Sequence, residues 1–233
     1  MCLLIVKPAG LSVDTDCLYN AALAHPHGAG IAWSNGSRVS IEKDHAPDID
    51  DLVARLETLQ EFPALVHFRY ATHGSVSVDN THPFELPNGW AAAHNGVFHN
   101  VKPVGDESDT RAFLRSYVAP LVERDALAAG LPLLEQLALG NRLAVLSPDG
   151  KATIVGERLG LWRCGVWYSN DSAFDCWADE FDDDEAELGI VEDAETPWYY
   201  DDAPKCDNCR FPLIENEDRI CSFCRDELLY RRR

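Results

Sequence analysis

Four of the eight cysteines stand as two pairs near the C-terminus, Cys206-Asp207-Asn208-Cys209 and Cys221-Ser222-Phe223-Cys224, with eleven residues between the pairs. Four thiolates presented by two CxxC turns suit the tetrahedral, sulfur-rich site that zinc prefers. A redox reading of either pair is weaker, because the two lie so close together. A second feature is at the other end. Cys2 directly follows Met1 and precedes the apolar run LLIV. It is either a small residue buried in a strand or a nucleophile exposed by removal of Met1, and the local sequence leaves both readings open. Cys17, Cys164 and Cys176 are scattered and read as core thiols. His67, His73, His82, His94 and His99 crowd the middle of the chain, where a metal cluster is the weaker of the available readings.

The chain has 233 residues, 46% of them apolar, which is enough for one full-sized domain and a small appendage. No apolar run approaches the roughly 20 residues that span a bilayer. The start lacks the basic and cleavable segments of an export signal, so a cytoplasmic location is expected. A net charge of −19 argues against broad contact with nucleic acid or anionic membrane. That charge is uneven: residues 171–202 hold fourteen acids and no Lys or Arg, whereas the chain ends in Tyr230 followed by three arginines. The acidic stretch reads as a solvated linker.

The elements that must position these groups follow from the patterning. CLLIV is a short strand, and a helix is expected near Asp16 to Ala24. GIAWS and RVSIEK form a hairpin around the favoured two-residue turn Asn35-Gly36. Ile49, Leu52, Val53, Leu56 and Leu59 fall on one face of a helix whose first turn carries acids. ALVHFRY and WAAAH are strands, the second ending at Asn95-Gly96. Ser108 can cap a helix through DTRAFLRSYV, LPLLEQLAL is helical, RLAVLS and KATIVGE pair across Pro148-Asp149-Gly150, and GVWYSN is a last strand. Strands and hairpins with helices between them imply an α+β fold with helices on the outer faces of the sheets.

Five motifs occur in order: Cys2, then RYATHG from Arg69, NTHPF from Asn80, HNG from His94 and SDT from Ser108. Together they resemble the glutaminase domain of class II glutamine amidotransferases, which are N-terminal-nucleophile hydrolases; glucosamine-6-phosphate synthase and asparagine synthetase carry relatives. The resemblance covers about Cys2 to Asn170. It implies a four-layer αββα sandwich and three segments: a glutaminase domain over 1–178, an acidic linker over 179–203, and a four-cysteine zinc-ribbon-like module over 204–233 with Cys206, Cys209, Cys221 and Cys224 as ligands of a structural zinc. So short a module makes no adequate core, so the metal would supply most of its folding energy. The module is either a structural clip or a dock whose basic edge is Arg225 and Arg231 to Arg233, for a partner protein or a nucleic acid.

The resemblance also assigns roles. Without Met1, Cys2 carries a thiol and a free α-amine, with reference pKa values of about 8.5 and about 7.7–8.0, so the amine can take the thiol proton without a catalytic His or Asp. Asn95 and the Gly96 N–H form the oxyanion cradle. Arg69 pairs with the α-carboxylate of glutamine and Asp109 with its α-ammonium, and Thr72, His73 and Gly74 line the substrate loop. Catalysis needs no cofactor, and the histidines serve structure and loop shape. Arg69 as a plain ion-pair partner and Asp109 as a helix-start acid are the bland alternatives. Two positions depart from the pattern: His27 precedes Gly28 where many relatives have an acid, and Arg111 follows the SDT where many have Glu. The expected activity is hydrolysis of glutamine to glutamate and ammonia. No synthetase domain follows, so an ammonia acceptor is expected on a separate protein. The rival readings are a stand-alone hydrolase of γ-glutamyl amides and a non-catalytic zinc-containing binding protein.

Overall fold

The computed structural model of the protein describes residues 2–71 and 75–174. Two antiparallel sheets face one another. The first has six strands in the order β3-β2-β4-β1-β10-β9, made of β1 (Leu3–Lys7), β2 (Ala29–Ser34), β3 (Val39–Asp44), β4 (Ala64–Phe68), β9 (Leu161–Arg163) and β10 (Val166–Tyr168). The second has four in the order β5-β6-β7-β8, made of β5 (Phe84–Leu86), β6 (Trp90–Asn95), β7 (Arg142–Leu146) and β8 (Ala152–Val155).

Side-chain alternation along each strand makes three apolar layers. Leu4, Val6, Leu65 and Trp167 of the first sheet meet Ala91, Ala93, Ala144 and Leu146 of the second. Small alanines opposite bulky residues let the sheets approach closely. The opposite face of the first sheet, with Leu3, Ile5, Val66 and Phe68, is covered by α1 (Thr15–Ala24) and α2 (Ile49–Thr58). The outer face of the second, with Leu143 and Val145, is covered by α3 (Asp109–Phe113), a π-helical turn (Leu114–Val118), α4 (Ala119–Glu123) and α5 (Leu127–Ala138). The layering is helix, sheet, sheet, helix. β1 is buried on both faces, which is why its sequence is a continuous apolar run and not an alternating one.

The expected elements are present, with differences. The β2–β3 connection is a four-residue loop, because the Asn35 side chain accepts from the N–H groups of Ser37 and Arg38. β5 and β9 are three-residue strands that the patterning did not disclose. The π-helical turn lies just ahead of Pro120, whose ring crowds the carbonyl four residues earlier and cannot donate to it. Cys164 was expected in the core and is instead exposed. It sits at the tip of the β9–β10 hairpin with φ of 48°, next to Gly165 at 79°, a place set by turn geometry and not by apolar packing. Cys17 is buried as expected, and Cys176 lies outside the described residues. No helix among the described residues is long and apolar enough to cross a membrane.

Candidate active site

The register of the first sheet brings the site together. β1 pairs antiparallel with β4, Leu3 opposite Phe68, and with β10, Ile5 opposite Tyr168. The start of β1 therefore lies beside the ends of both neighbours, so Cys2 is next to residues 69–70 on one side and 169–170 on the other. Its thiol contacts the Tyr70 backbone, with the Tyr70 N–H donating to Sγ at 3.4 Å and Sγ to the Tyr70 carbonyl at 3.6 Å. Its carbonyl accepts from Asn170 Nδ2 at 2.8 Å. Burial pushes the thiol pKa up. The Tyr70 N–H and Arg69 pull it down, and Asp109 adds a smaller upward push. A thiolate is thus opposed by desolvation and supported by the Tyr70 N–H and the Arg69 charge.

Arg69 is 5% exposed and directly follows β4. Its backbone N–H donates to the Gly28 carbonyl at 2.7 Å, and Gly28 has φ of 130°. A Cβ on Gly28 would lie 2.8 Å from Thr81 Oγ1 and 2.9 Å from the Asp44 carbonyl, so this early turn needs glycine. Burial lowers the Arg69 pKa, and the nearby Cys2 raises it. His27, one of the two departures, serves the local backbone, since its Nδ1 accepts from the Ala71 N–H at 2.9 Å and its ring packs against Tyr70 at 5.1 Å. It anchors the chain where it enters residues 72–74. Thr72, His73 and Gly74 lie outside the described residues. Arg111, the other departure, donates to the Asp79 carbonyl at 3.4 Å and lies over the Phe84 ring.

Asn95 ends β6 in the second sheet and is fully buried. Its Nδ2 is 2.9 Å from Ser169 Oγ, which links it across the sandwich to the strand bearing Cys2. Gly96 has φ of 137°, and a Cβ there would fall 1.9 Å from Asn141 Oδ1. Asn141 itself donates to the carbonyls of Ala138 and Val97 and meets His94 Nε2 at 3.0 Å. Asp109 opens α3, and its Oδ2 accepts from the Phe98 N–H at 2.6 Å. Asp109 also lines a groove of about 600 Å³ with Ser75, Phe98 and His99.

The histidines hold the second sheet against the first. His67 Nε2 meets the His94 carbonyl at 3.0 Å, His82 Nδ1 lies 3.0 Å from His67 Nε2, and His94 Nδ1 lies 2.9 Å from Thr110 Oγ1. Burial drives His67 down to about 3 and His94 to about 4, and holds His82 well below the usual range. His99 is exposed at the groove, and His73 is outside the described residues. Among the described residues no cluster of His, Cys, Asp or Glu is arranged to hold a metal. The proposed zinc ligands Cys206, Cys209, Cys221 and Cys224 lie outside those residues, as does the acidic linker.

Cys2, Arg69, Asn95, Gly96 and Asp109 therefore come from four separate elements to one end of the sandwich. Tyr70, Asn141, Ser169 and Asn170 were not singled out by the sequence. Only the short polar pair that closes GVWYSN hinted at the last two.

Residues 1–129, more than half of the chain, match the class-II glutamine amidotransferases, and the chain belongs to that family. Its members are enzymes with an N-terminal cysteine nucleophile. The chain is 31% identical over 105 residues to the Escherichia coli (strain K12) protein YafJ, a match covering 38% of this chain and 40% of that protein. It is 30% identical over 121 residues to the glutamine–fructose-6-phosphate aminotransferase of Rhizobium meliloti, covering 45% of this chain and 20% of the other. The chain thus spans less than half the length of these curated relatives. Among solved structures, the glutamine phosphoribosylpyrophosphate amidotransferase of B. subtilis superposes with a TM-score of 0.47 at 18% identity, covering 75% of this chain and 43% of that one.

Proposed function

We propose that this chain hydrolyses the side-chain amide of free glutamine through Cys2 and supplies the ammonia to a separate acceptor enzyme. The observation that carries the reading is the placement of Cys2, its thiol against the Tyr70 backbone and its carbonyl held by Asn170, at the end of the sandwich that also holds Arg69 and Asn95.

In this mechanism Met1 is removed and the α-amine of Cys2 accepts the thiol proton. Sγ attacks the side-chain amide carbon of glutamine. The negative oxygen of the tetrahedral intermediate receives hydrogen bonds from the Asn95 side chain and the Gly96 N–H. The C–N bond breaks, the amine returns its proton to the departing nitrogen, and ammonia leaves a γ-glutamyl thioester. Water, deprotonated by the same amine, attacks the thioester and releases glutamate and the thiol. Arg69 holds the substrate α-carboxylate and Asp109 its α-ammonium, a pairing suited to a free amino acid and not to a peptide amide. Thr72, His73 and Gly74 complete the substrate loop. In this reading residues 204–233 are a zinc module held by Cys206, Cys209, Cys221 and Cys224 that docks the acceptor; the zinc rests on the spacing of the cysteines and the docking on the basic edge of Arg225 and Arg231 to Arg233.

Intact-mass measurement before and after 6-diazo-5-oxo-norleucine tests the reading. The expected result is a chain lacking Met1 that gains one adduct on Cys2, with glutamine protecting it and Cys2→Ala abolishing glutamate release. Active protein that retains Met1, or full turnover by C2A, overturns it. Faster turnover of γ-glutamyl conjugates than of glutamine overturns the substrate assignment.

A further inference from the structure

After loss of Met1, Cys2 is held by a single peptide bond, and chain ends fray unless tied down. It also lies outside the hydrogen-bonded ladder of β1, which starts at Leu3. What fixes it comes from the chain just beyond β10. Asn170 Nδ2 donates to the Cys2 carbonyl at 2.8 Å, and Asn170 Oδ1 is held in turn by the Ser172 N–H at 3.1 Å. One residue earlier, fully buried Ser169 engages both backbone groups of Leu4: its N–H donates to the Leu4 carbonyl at 2.8 Å, and its Oγ accepts from the Leu4 N–H at 2.9 Å. The same Oγ lies 2.9 Å from the Asn95 amide in the other sheet.

We infer that Ser169 and Asn170 are positioning residues that set the distance between the attacking sulfur and the oxyanion amide, Asn170 by pinning Cys2 and Ser169 by tying β1 to Asn95. The inference rests on the function proposed above. The Asn95 amide shows why a hydroxyl is needed at position 169. With Nδ2 toward Ser169, Asn95 Oδ1 is buried with no hydrogen-bond partner among the described residues. A hydroxyl can donate as well as accept. Turned by half a rotation, Asn95 accepts the Ser169 proton at its oxygen, while Ser169 still accepts from Leu4. The Asn95 nitrogen then takes the place of Oδ1, where it meets no protein acceptor among the described residues, and one of its N–H bonds is left for a substrate oxygen. An alanine at 169 cannot select that orientation. It also removes the single-atom bridge that Oγ makes between the nucleophile strand and the oxyanion residue.

Misplacing reacting groups by about 1 Å costs on the order of a hundredfold, and removing an oxyanion donor about a hundredfold to a thousandfold. Ser169→Ala and Asn170→Ala are therefore expected to lower kcat for glutamine by roughly ten- to a hundredfold. The KM and the rate of Cys2 alkylation by iodoacetamide, a reaction that develops no oxyanion, should stay within about threefold of the unaltered protein. Asn170 is only partly buried, so N170A keeps the test valid if S169A unfolds. A kcat within twofold of the unaltered protein in N170A overturns the inference. So does alkylation that falls in step with kcat, or an effect confined to KM. Absence of turnover in the unaltered protein, or its survival in C2A, instead overturns the proposed function beneath it.

Discussion

Gly96→Ala is the sharpest probe of the turn that follows β6. The new Cβ would fall 1.9 Å from Asn141 Oδ1, 2.8 Å from its Cγ and 3.2 Å from His94 Nε2, on a residue whose φ is 137°. The backbone term alone, an L side chain in a region open essentially to glycine, is about 1–3 kcal/mol. The steric term is set by whether Asn141 can move. It is 7% exposed and bonded to Ala138, Val97 and His94, so stepping aside forfeits up to three buried hydrogen bonds. With all three lost at about 1 kcal/mol each, the combined destabilisation is about 4–6 kcal/mol. That is a large share of the roughly 5–15 kcal/mol that holds a domain together, and it corresponds to a fall in Tm of roughly 8–24 °C. Thermal unfolding by circular dichroism reads it directly. The Asn141→Ala background separates the two terms. There the added alanine meets no amide and should cost only the backbone strain, so the double mutant is more stable than the sum of the single changes. A G96A protein that melts within about 2 °C of the unaltered one, or strict additivity in the cycle, refutes the close packing of Asn141 against this turn.

Four further outcomes are expected. Because His67 and His94 titrate near 3 and 4 when folded and near about 6.5 when unfolded, the unfolded chain binds more protons between those limits. Stability is thus fully present above about pH 6.5 and is lost as pH falls, by up to about 1.4 kcal/mol per pH unit for each histidine; a urea midpoint that is flat from pH 7 to 4.5 refutes this. Lys7 Nζ donates within a cage of the Pro8, Leu11, Gln60 and Phe62 carbonyls, so Lys7→Met should cost about 3–5 kcal/mol in chemical denaturation with little change in KM. Arg69→Lys removes the planar fork and should raise the glutamine KM about tenfold or more; an unchanged KM removes Arg69 from substrate binding. Native mass spectrometry of the full chain should show one bound zinc, lost in C206S/C209S; a metal-free chain from zinc-supplemented cells rejects the four-cysteine site.

What the sequence disclosed, and what it did not, divides by how local the cause is. The apolar stripe of α2 and the Ser108 cap, whose Oγ accepts from the Arg111 N–H, are decided within one or two helical turns, and both were legible. β5 and β9 are too short for alternation to register, and pairing alone defines them. Cys164 misled because cysteine is usually buried, whereas a hairpin tip follows backbone geometry. In the site, Cys2, Arg69, Asn95, Gly96 and Asp109 stand in spaced motifs. Their supports do not. Ser169 and Asn170 act across more than 160 residues of chain, and Asn141 reaches back to His94 from the far side of α5. No window of sequence contains both partners of such a contact.

β1 is an interior strand, with β4 on one flank and β10 on the other, and its first residues are enclosed by the chain around positions 69–70 and 169–170. An affinity tag or fusion partner joined ahead of Cys2 would acylate the terminal nitrogen that the proposed mechanism uses as its base. Recombinant preparations intended for assay are therefore best given their handle at the opposite terminus, and a failed activity measurement on front-tagged material says nothing about the native enzyme.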